Sequence, residues 1–197
     1  MTSSSLYSDK RQTFFRDHFE RALDYETYLQ TGKPHEQTRW RSFEERLALS
    51  DSQKSTLHSF ERKMPVLVMS GSWCGDCMRQ GPMLRAIEKQ AKVFEFRYLD
   101  SHANPELQDE LRINGAEKVP VIVAFSEDFF EVARFGDRHL SVYRRKVRSE
   151  LGAACDPGIV PPAADELGEE LGEWVAFFER AQLLLRLAPL LRSRYND

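Results

Sequence analysis

Two cysteines stand three residues apart in MSGSWCGDCMRQGP, residues 69–82. Cys74 and Cys77 flank Gly75 and Asp76. Such a pair can be half of a metal site, a redox couple, or two unconnected thiols. A structural zinc site takes about four ligands, usually as two Cys/His pairs. The only other cysteine is Cys155, and the five histidines form no second pair at metal spacing. This count argues against metal. A redox couple needs a nucleophilic thiolate and a second thiol within reach. The apolar run MPVLVMS (64–70) reads as a buried strand, and residues 74–91 carry a helical pattern. Cys74 therefore falls where a strand passes into a helix. Free backbone N–H groups and the helix dipole favour negative charge there, which lowers a thiol pKa. Cys77, one turn on, is spaced to attack a mixed disulfide at Cys74 and release the product.

Asp76 has two readings. A carboxylate is favourable in the first turn of a helix; alternatively, it serves Cys77 as a base or selectivity element. Its charge disfavours a neighbouring thiolate, and Arg79 is the nearby residue that would offset it. Trp73 reads as a cover for the pair and a substrate contact, or as a packing aromatic. Asp100, Ser101 and His102 follow the second strand. In a parallel arrangement they reach the edge that carries the cysteines, unless they are simply a solvated loop. Cys155 is a third redox thiol or an inert one.

The elements that must position the pair follow from apolar periodicity. Residues 6–30 read as one helix, with Ser8 as its cap and Phe14, Phe15, Phe19, Ala22, Leu23 and Tyr25 on one side. TGKP (31–34) ends it. A second helical stretch spans 40–61, breaking near 49–51, where Ser50 or Asp51 caps a new start. It turns Phe43, Leu47, Leu57 and Phe60 inward. Further strands are expected over 93–100, 119–125 and 129–136, the last two as a hairpin. Helices are expected over 104–113 and 137–151, with Pro105 at the first helical position of the former. The order β-α-β-α-β-β-α across 64–151 predicts parallel pairing with one antiparallel edge. Residues 152–170 read as a Pro/Gly-rich loop. A final helix over 170–194 would use Leu171, Trp174, Val175, Phe178, Leu183 and Leu184 as its apolar face, and Pro189 would kink or end it.

At these motifs the sequence resembles the thioredoxin-like family. WCGDC (73–77) matches that family's W-C-G-P-C except at Asp76. Pro82 matches the proline that kinks the active-site helix. Val119 and Pro120 match the segment holding the family's cis-proline, beside which substrate strands bind. Gly136 resembles the glycine after the fourth core strand. The resemblance implies an α/β, three-layer fold with a central mixed four-stranded sheet flanked by helices. It spans about residues 62–151, leaving 1–61 as an N-terminal helical extension and 152–197 as a loop and C-terminal helix. It also implies that Cys74 is the nucleophile and Cys77 the resolving thiol, with Trp73, Gly75, Asp76, Val119 and Pro120 around the groove. One departure stands out: the family's buried acid lies six residues before the first cysteine, where this chain has Val68.

A net charge of −3 gives no basic excess for nucleic acid. No leader-like apolar stretch opens the chain, and LLLRLAPLLR (183–192) is too short and too interrupted to span a membrane. Three cysteines do not make a disulfide scaffold. These features predict a cytoplasmic setting, and the cysteine pair with the resemblance implies a thiol–disulfide oxidoreductase that needs no bound cofactor. Its expected partners are protein disulfides and an upstream reductase. The alternative is a thioredoxin-like binding or regulatory module that engages a specific partner through its helical extensions.

Overall fold

The computed structural model describes residues 7–151 and 166–196. Its elements in chain order are α1 (Gln12–Arg21), α2 (Tyr25–Thr31), α3 (Pro34–Glu44), α4 (Asp51–His58), β1 (Met64–Ser70), α5 (Gly75–Gln90) and β2 (Phe94–Asp100). There follow α6 (Pro105–Glu110), β3 (Val121–Phe125), β4 (Glu131–Gly136), α7 (Leu140–Leu151), α8 (Glu166–Leu187) and α9 (Pro189–Tyr195). The four strands form one mixed sheet in the order β2-β1-β3-β4. This is the thioredoxin-like α/β arrangement, with additional helices at both ends.

Only β1 and β2 pair in parallel; β3 is antiparallel to both β1 and β4. The order of elements in sequence suggests more parallel pairing than this. The reason for the difference lies at one edge. β2 ends there, with Asp100 opposite Ser70, and β3 begins there, with Val121 opposite Met69. A strand that starts at the edge its predecessor left must run back.

Strand alternation divides the core. Val66, Val68, Ile122 and Ala124 face a layer built from α2, α3, α4, α5 and α8. Leu67, Met69, Val121, Val123 and Phe125 face Phe15 and Phe19 of α1 and Leu107 and Leu111 of the α6 region. The N-terminal segment therefore serves both faces, and the single helix expected over 6–30 is two. Between them Leu23 forms an antiparallel bridge with Tyr98, through N–H···O contacts of 3.0 and 2.7 Å. Asp24 then caps α2 by accepting from the N–H groups of Glu26 and Thr27. An unbroken apolar period hides this break; Asp24 is its only local signal. α1 starts at Gln12 without a side-chain cap, so Ser8 does not cap it. Pro34 opens α3 rather than closing α2, and Ser50 caps α4.

α8 begins at Glu166, before the expected residue 170, and Pro189 ends it by opening α9. Leu171, Trp174, Val175 and Phe178 are buried as expected, but Leu183 and Leu184 are exposed. The inner face continues instead through Ala181, Gln182 and Leu185, because Gln182 bonds both N–H and C=O of Arg62. Cys155 lies outside the described residues.

Two contacts fix α5. Trp40 of α3, fully buried, packs on Gly81, where an added Cβ would meet its ring at 1.9 Å. On the other side, Arg79 reaches the buried Glu170 of α8 through contacts of 2.6 and 2.8 Å, and Arg145 of α7 joins the same carboxylate. His139, which precedes α7, is buried between Phe135 and Trp174, with neither ring nitrogen hydrogen-bonded. Burial lowers its pKa from 6.5 to about 4; Arg79 and Arg145 act the same way and Glu173 opposes them.

Gly81→Ala should cost about 3 kcal/mol, the upper range for forced overpacking, measured as a shifted denaturant midpoint. For His139 the folded state binds its proton less readily than the unfolded state. Its stabilising effect is complete above pH 6.5 and falls away as the pH drops toward about 4. The loss should reach about 3 kcal/mol, and His139→Phe should remove that component from denaturation curves at pH 7 and pH 4.5.

Candidate functional site

The cysteine pair lies at the turn between β1 and α5. Cys74 is the N-cap of α5, with extended backbone (φ −79°, ψ 126°), and its carbonyl accepts from Met78 N–H at 2.9 Å. Its side chain is partly exposed, whereas Cys77 is fully buried. A Cβ added at Gly75 would meet no atom within 4 Å, so the space beside Cys74 stays open. Pro82 lies inside α5, where it removes one helical N–H.

The two thiols are set apart by their surroundings. Hydrogen bonding from the Cys77 thiol lowers the Cys74 pKa from 9.0 to about 6, helped by the N–H groups of Cys77 and Asp76 and opposed by burial and the Asp76 charge. Burial pushes the Cys77 thiol well up, and Cys74 adds to this. The Ser70 hydroxyl and the Gly71 N–H, 3.4 Å from Cys77 Sγ, pull the other way. The structure thus holds one thiol poised to ionise at neutral pH and one held protonated.

The Val119–Pro120 bond is cis. The Cys74 thiol lies 3.7 Å from the Val119 carbonyl oxygen, to which it donates. Pro120 C=O accepts from Asp137 N–H at 2.9 Å. Asp137 also ties in α5 and α7: its carbonyl accepts from Gln80 Nε2 at 2.7 Å, and its carboxylate from Tyr143 at 2.7 Å. Lys118 stands 3.3 Å from that carboxylate. Gly136, just before it, is the last residue of β4.

Asp76 forms an ion pair with Arg138 at 2.7 Å. Arg79, expected to offset its charge, is instead committed to Glu170 and Glu166. A fully buried carboxylate claims the guanidinium because an unpaired one would be far costlier than an exposed one. Trp73 is 48% exposed, so it is not a packing aromatic. Its ring stacks on His102 at 4.9 Å and 13° and covers Gly71. His102 is thus at the site, carried there by the parallel β1–β2 pair. Asp100 accepts from the N–H groups of His102 and Ala103, and Ser101 N–H bonds Ser70 C=O at 2.9 Å.

Several site residues carry no signal in sequence. Ser72 is gripped twice from α3: its hydroxyl donates to Glu36 at 2.8 Å, and its carbonyl accepts from Trp40 Nε1 at 3.0 Å. Tyr28 of α2 is buried close to Ser70 and the two thiols. Arg138 and Asp137 converge from the end of β4. Only the sequence GDR after a strand hints at this turn. Val68, at the position of the missing acid, is buried between Tyr98 and Ile122. Among the described residues, no group of three His, Cys, Asp or Glu side chains is placed to hold a metal ion.

A family model described as thioredoxin matches residues 22–144. The chain belongs to the thioredoxin family. The match takes in α2, α3 and α4, which the sequence motifs alone leave outside the core. The same fold appears in two solved structures that each cover more than four-fifths of the chain. One is a protein of unknown function from Pseudomonas aeruginosa, at 22% identity and TM-score 0.69, covering 85% of this chain and 98% of that one. The other is an HIV epitope scaffold, at 20% identity and TM-score 0.66, covering 84% and 97%. At these identities the likeness shows the fold. No curated protein matches this thioredoxin-family chain.

Arg138→Ala should leave the Asp76 charge uncompensated and raise the Cys74 pKa above about 6, by up to roughly one pH unit. The pH profile of iodoacetamide alkylation at Cys74 reads this directly. Asp76→Asn should lower the midpoint, and the double variant should show no further effect of Arg138.

Proposed function

We propose that this protein is a thiol–disulfide oxidoreductase acting on protein disulfides. The observation that carries the reading is the contrast within the pair: Cys74 at a helix N-cap with a pKa of about 6, beside a buried, protonated Cys77. In the first step the Cys74 thiolate attacks a substrate disulfide. The substrate S–S bond breaks, and one thiolate leaves as a mixed disulfide forms at Cys74. In the second step Cys77 attacks Cys74 Sγ, the second substrate thiol departs, and Cys74–Cys77 becomes a disulfide. Two electrons pass to the substrate, so no bound cofactor is required, and an upstream reductase returns the pair to the dithiol.

The remaining groove residues take their roles from position. Trp73 and His102 offer a half-exposed aromatic platform for the substrate chain. The Val119 carbonyl faces the attacking sulfur, with the cis Pro120 next in the chain, and Val119 is the backbone a bound strand would meet. Gly75 keeps the approach clear. Asp76, paired with Arg138, sets the charge near Cys74 rather than serving Cys77 as a base. A cytoplasmic setting fits a chain with three cysteines whose pair must be kept reduced. Among the described residues, no helix is long and apolar enough to cross a membrane.

One observation favours a second reading, a binding module. Leu183, Leu184 and Leu187 form an exposed apolar stripe on α8, away from the thiols. A Cys77→Ser trap separates the two. Under exchange, it should accumulate mixed disulfides with several proteins, all dependent on Cys74, and the wild type should reduce insulin in the presence of dithiothreitol faster than Cys74→Ser does. Equal insulin rates in wild type and Cys74→Ser, with capture of one partner irrespective of Cys74, would establish the module instead.

A further inference from the structure

The resolving step needs Cys77 as a thiolate, yet Cys77 is fully buried, Val68 stands where a carboxylate would assist, and Asp76 is committed to Arg138. The N–H of buried Gly71 donates to Cys77 Sγ at 3.4 Å. That N–H belongs to the Ser70–Gly71 peptide, and the turn after β2 holds this peptide twice. Ser101 N–H donates to its carbonyl, the Ser70 C=O, at 2.9 Å. His102 stacks on the Trp73 ring at 4.9 Å and 13°, and that ring lies against Gly71, where an added Cβ would meet it at 2.8 Å. The turn is itself fixed. The Asp100 carboxylate accepts from the N–H groups of His102 and Ala103 at 2.9 and 3.2 Å, and the Asp100 carbonyl accepts from Asn104 Nδ2 at 2.8 Å. The parallel register of β1 and β2, with Ser70 beside Asp100, brings this turn to that peptide.

We infer that the Gly71 N–H is the catalytic donor to Cys77 in the resolving half-reaction, and that His102 is the positioning residue that keeps this donor aimed by holding Trp73 on Gly71. The inference rests on the exchange reading above. A glycine backbone is free to take many conformations. Here the carbonyl side of its peptide is bonded to Ser101 and the indole ring lies against the glycine, so the N–H direction is set before the sulfur ionises. A hydrogen bond to a charged acceptor is about twice as strong as one to a neutral acceptor, so the contact strengthens as Cys77 loses its proton. A donor already in place needs no reorganisation at that moment. Trp73 is 48% exposed, and its stack on His102 is what keeps so open a ring in one position. In the step itself Cys77 gives up its proton and its sulfur attacks Cys74 Sγ. The Cys74–Cys77 S–S bond forms and the bond from Cys74 to the substrate sulfur breaks. Its electron pair leaves with the substrate sulfur, which takes up a proton. The Gly71 donor raises the fraction of Cys77 that is thiolate and able to attack.

The test uses the full chain carrying Cys155→Ser, reduced and in excess over 5,5′-dithiobis(2-nitrobenzoic acid). Release of the first thionitrobenzoate reports attack by Cys74. Release of the second, at a rate independent of protein concentration, reports resolution by Cys77. Acrylamide quenching of tryptophan fluorescence reports the Trp73 ring, because Trp40 and Trp174 are fully buried. His102 is exposed, so its substitution should leave the fold intact. His102→Ala should increase quenching and move the pH midpoint of the second phase upward. It should also slow that phase about fivefold, the effect of losing a hydrogen bond worth about 1 kcal/mol. His102→Phe keeps a planar ring in the stack and should restore quenching, rate and midpoint. The inference is overturned by a second phase within twofold of the parent in His102→Ala, by quenching unchanged in that variant, by equal slowing of both phases, or by failure of His102→Phe to restore the rate. Absence of the first phase in the parent overturns the exchange reading, and the inference falls with it.

Discussion

The turn from Ser70 to Gly75 is the constraint on which the site depends. It must end a buried strand, turn its backbone outward, and start a helix with a thiol at the cap. The N-terminus of α5 offers free N–H groups, and Cys74 is the residue that uses them. A thiolate there is stabilised only while the helix N-terminus, the Cys77 thiol and the N–H groups of Asp76 and Cys77 keep their places. Small displacements matter because these are short-range, directional interactions. Much of the surrounding architecture holds this one turn.

The holding comes from opposite sides. α3 approaches from one side, with Trp40 seated on Gly81 and bonded to the Ser72 carbonyl, and Glu36 on the Ser72 hydroxyl. α7 and α8 approach from another through the Arg79–Glu170–Arg145 cluster. Burying that carboxylate is unfavourable alone; two guanidiniums offset the cost and make the helix packing specific. Asp137 forms the third anchor, joining the cis Pro120 segment, α5 and α7 through one residue in the left-handed region (φ 64°). An Asp tolerates that conformation better than most residues.

What is legible in the sequence is local. The strand-to-helix placement of Cys74 and Cys77, the four strands and the helix at Pro105 follow from periodicity and turn chemistry within short windows. The break at Leu23 does not, because Leu23 is apolar on either reading and its partner, Tyr98, lies far along the chain. The inner face of α8 departs from its hydropathy pattern for a similar reason. Gln182 is buried to satisfy the backbone of Arg62, a demand that hydropathy cannot express. The Asp76–Arg138 pair is also out of reach: Arg79 is the nearer cation along the chain, but Glu170 has a stronger claim on it. Long-range pairing of charged and polar groups decides each of these cases.

The attachment of α3 has a consequence for how the molecule can be divided. Ser72 borders Trp73 and Cys74, and both its polar groups are held by residues that precede β1. The helices before β1 are therefore not ornaments on a minimal thioredoxin-like scaffold. A fragment cut at the start of β1 would lose the ring that fills the space over Gly81 and both partners of Ser72, exposing an indole-sized hollow beside the thiols. For protein engineers seeking a compact version of this cysteine-bearing turn, the smallest transplantable unit must include this N-terminal segment.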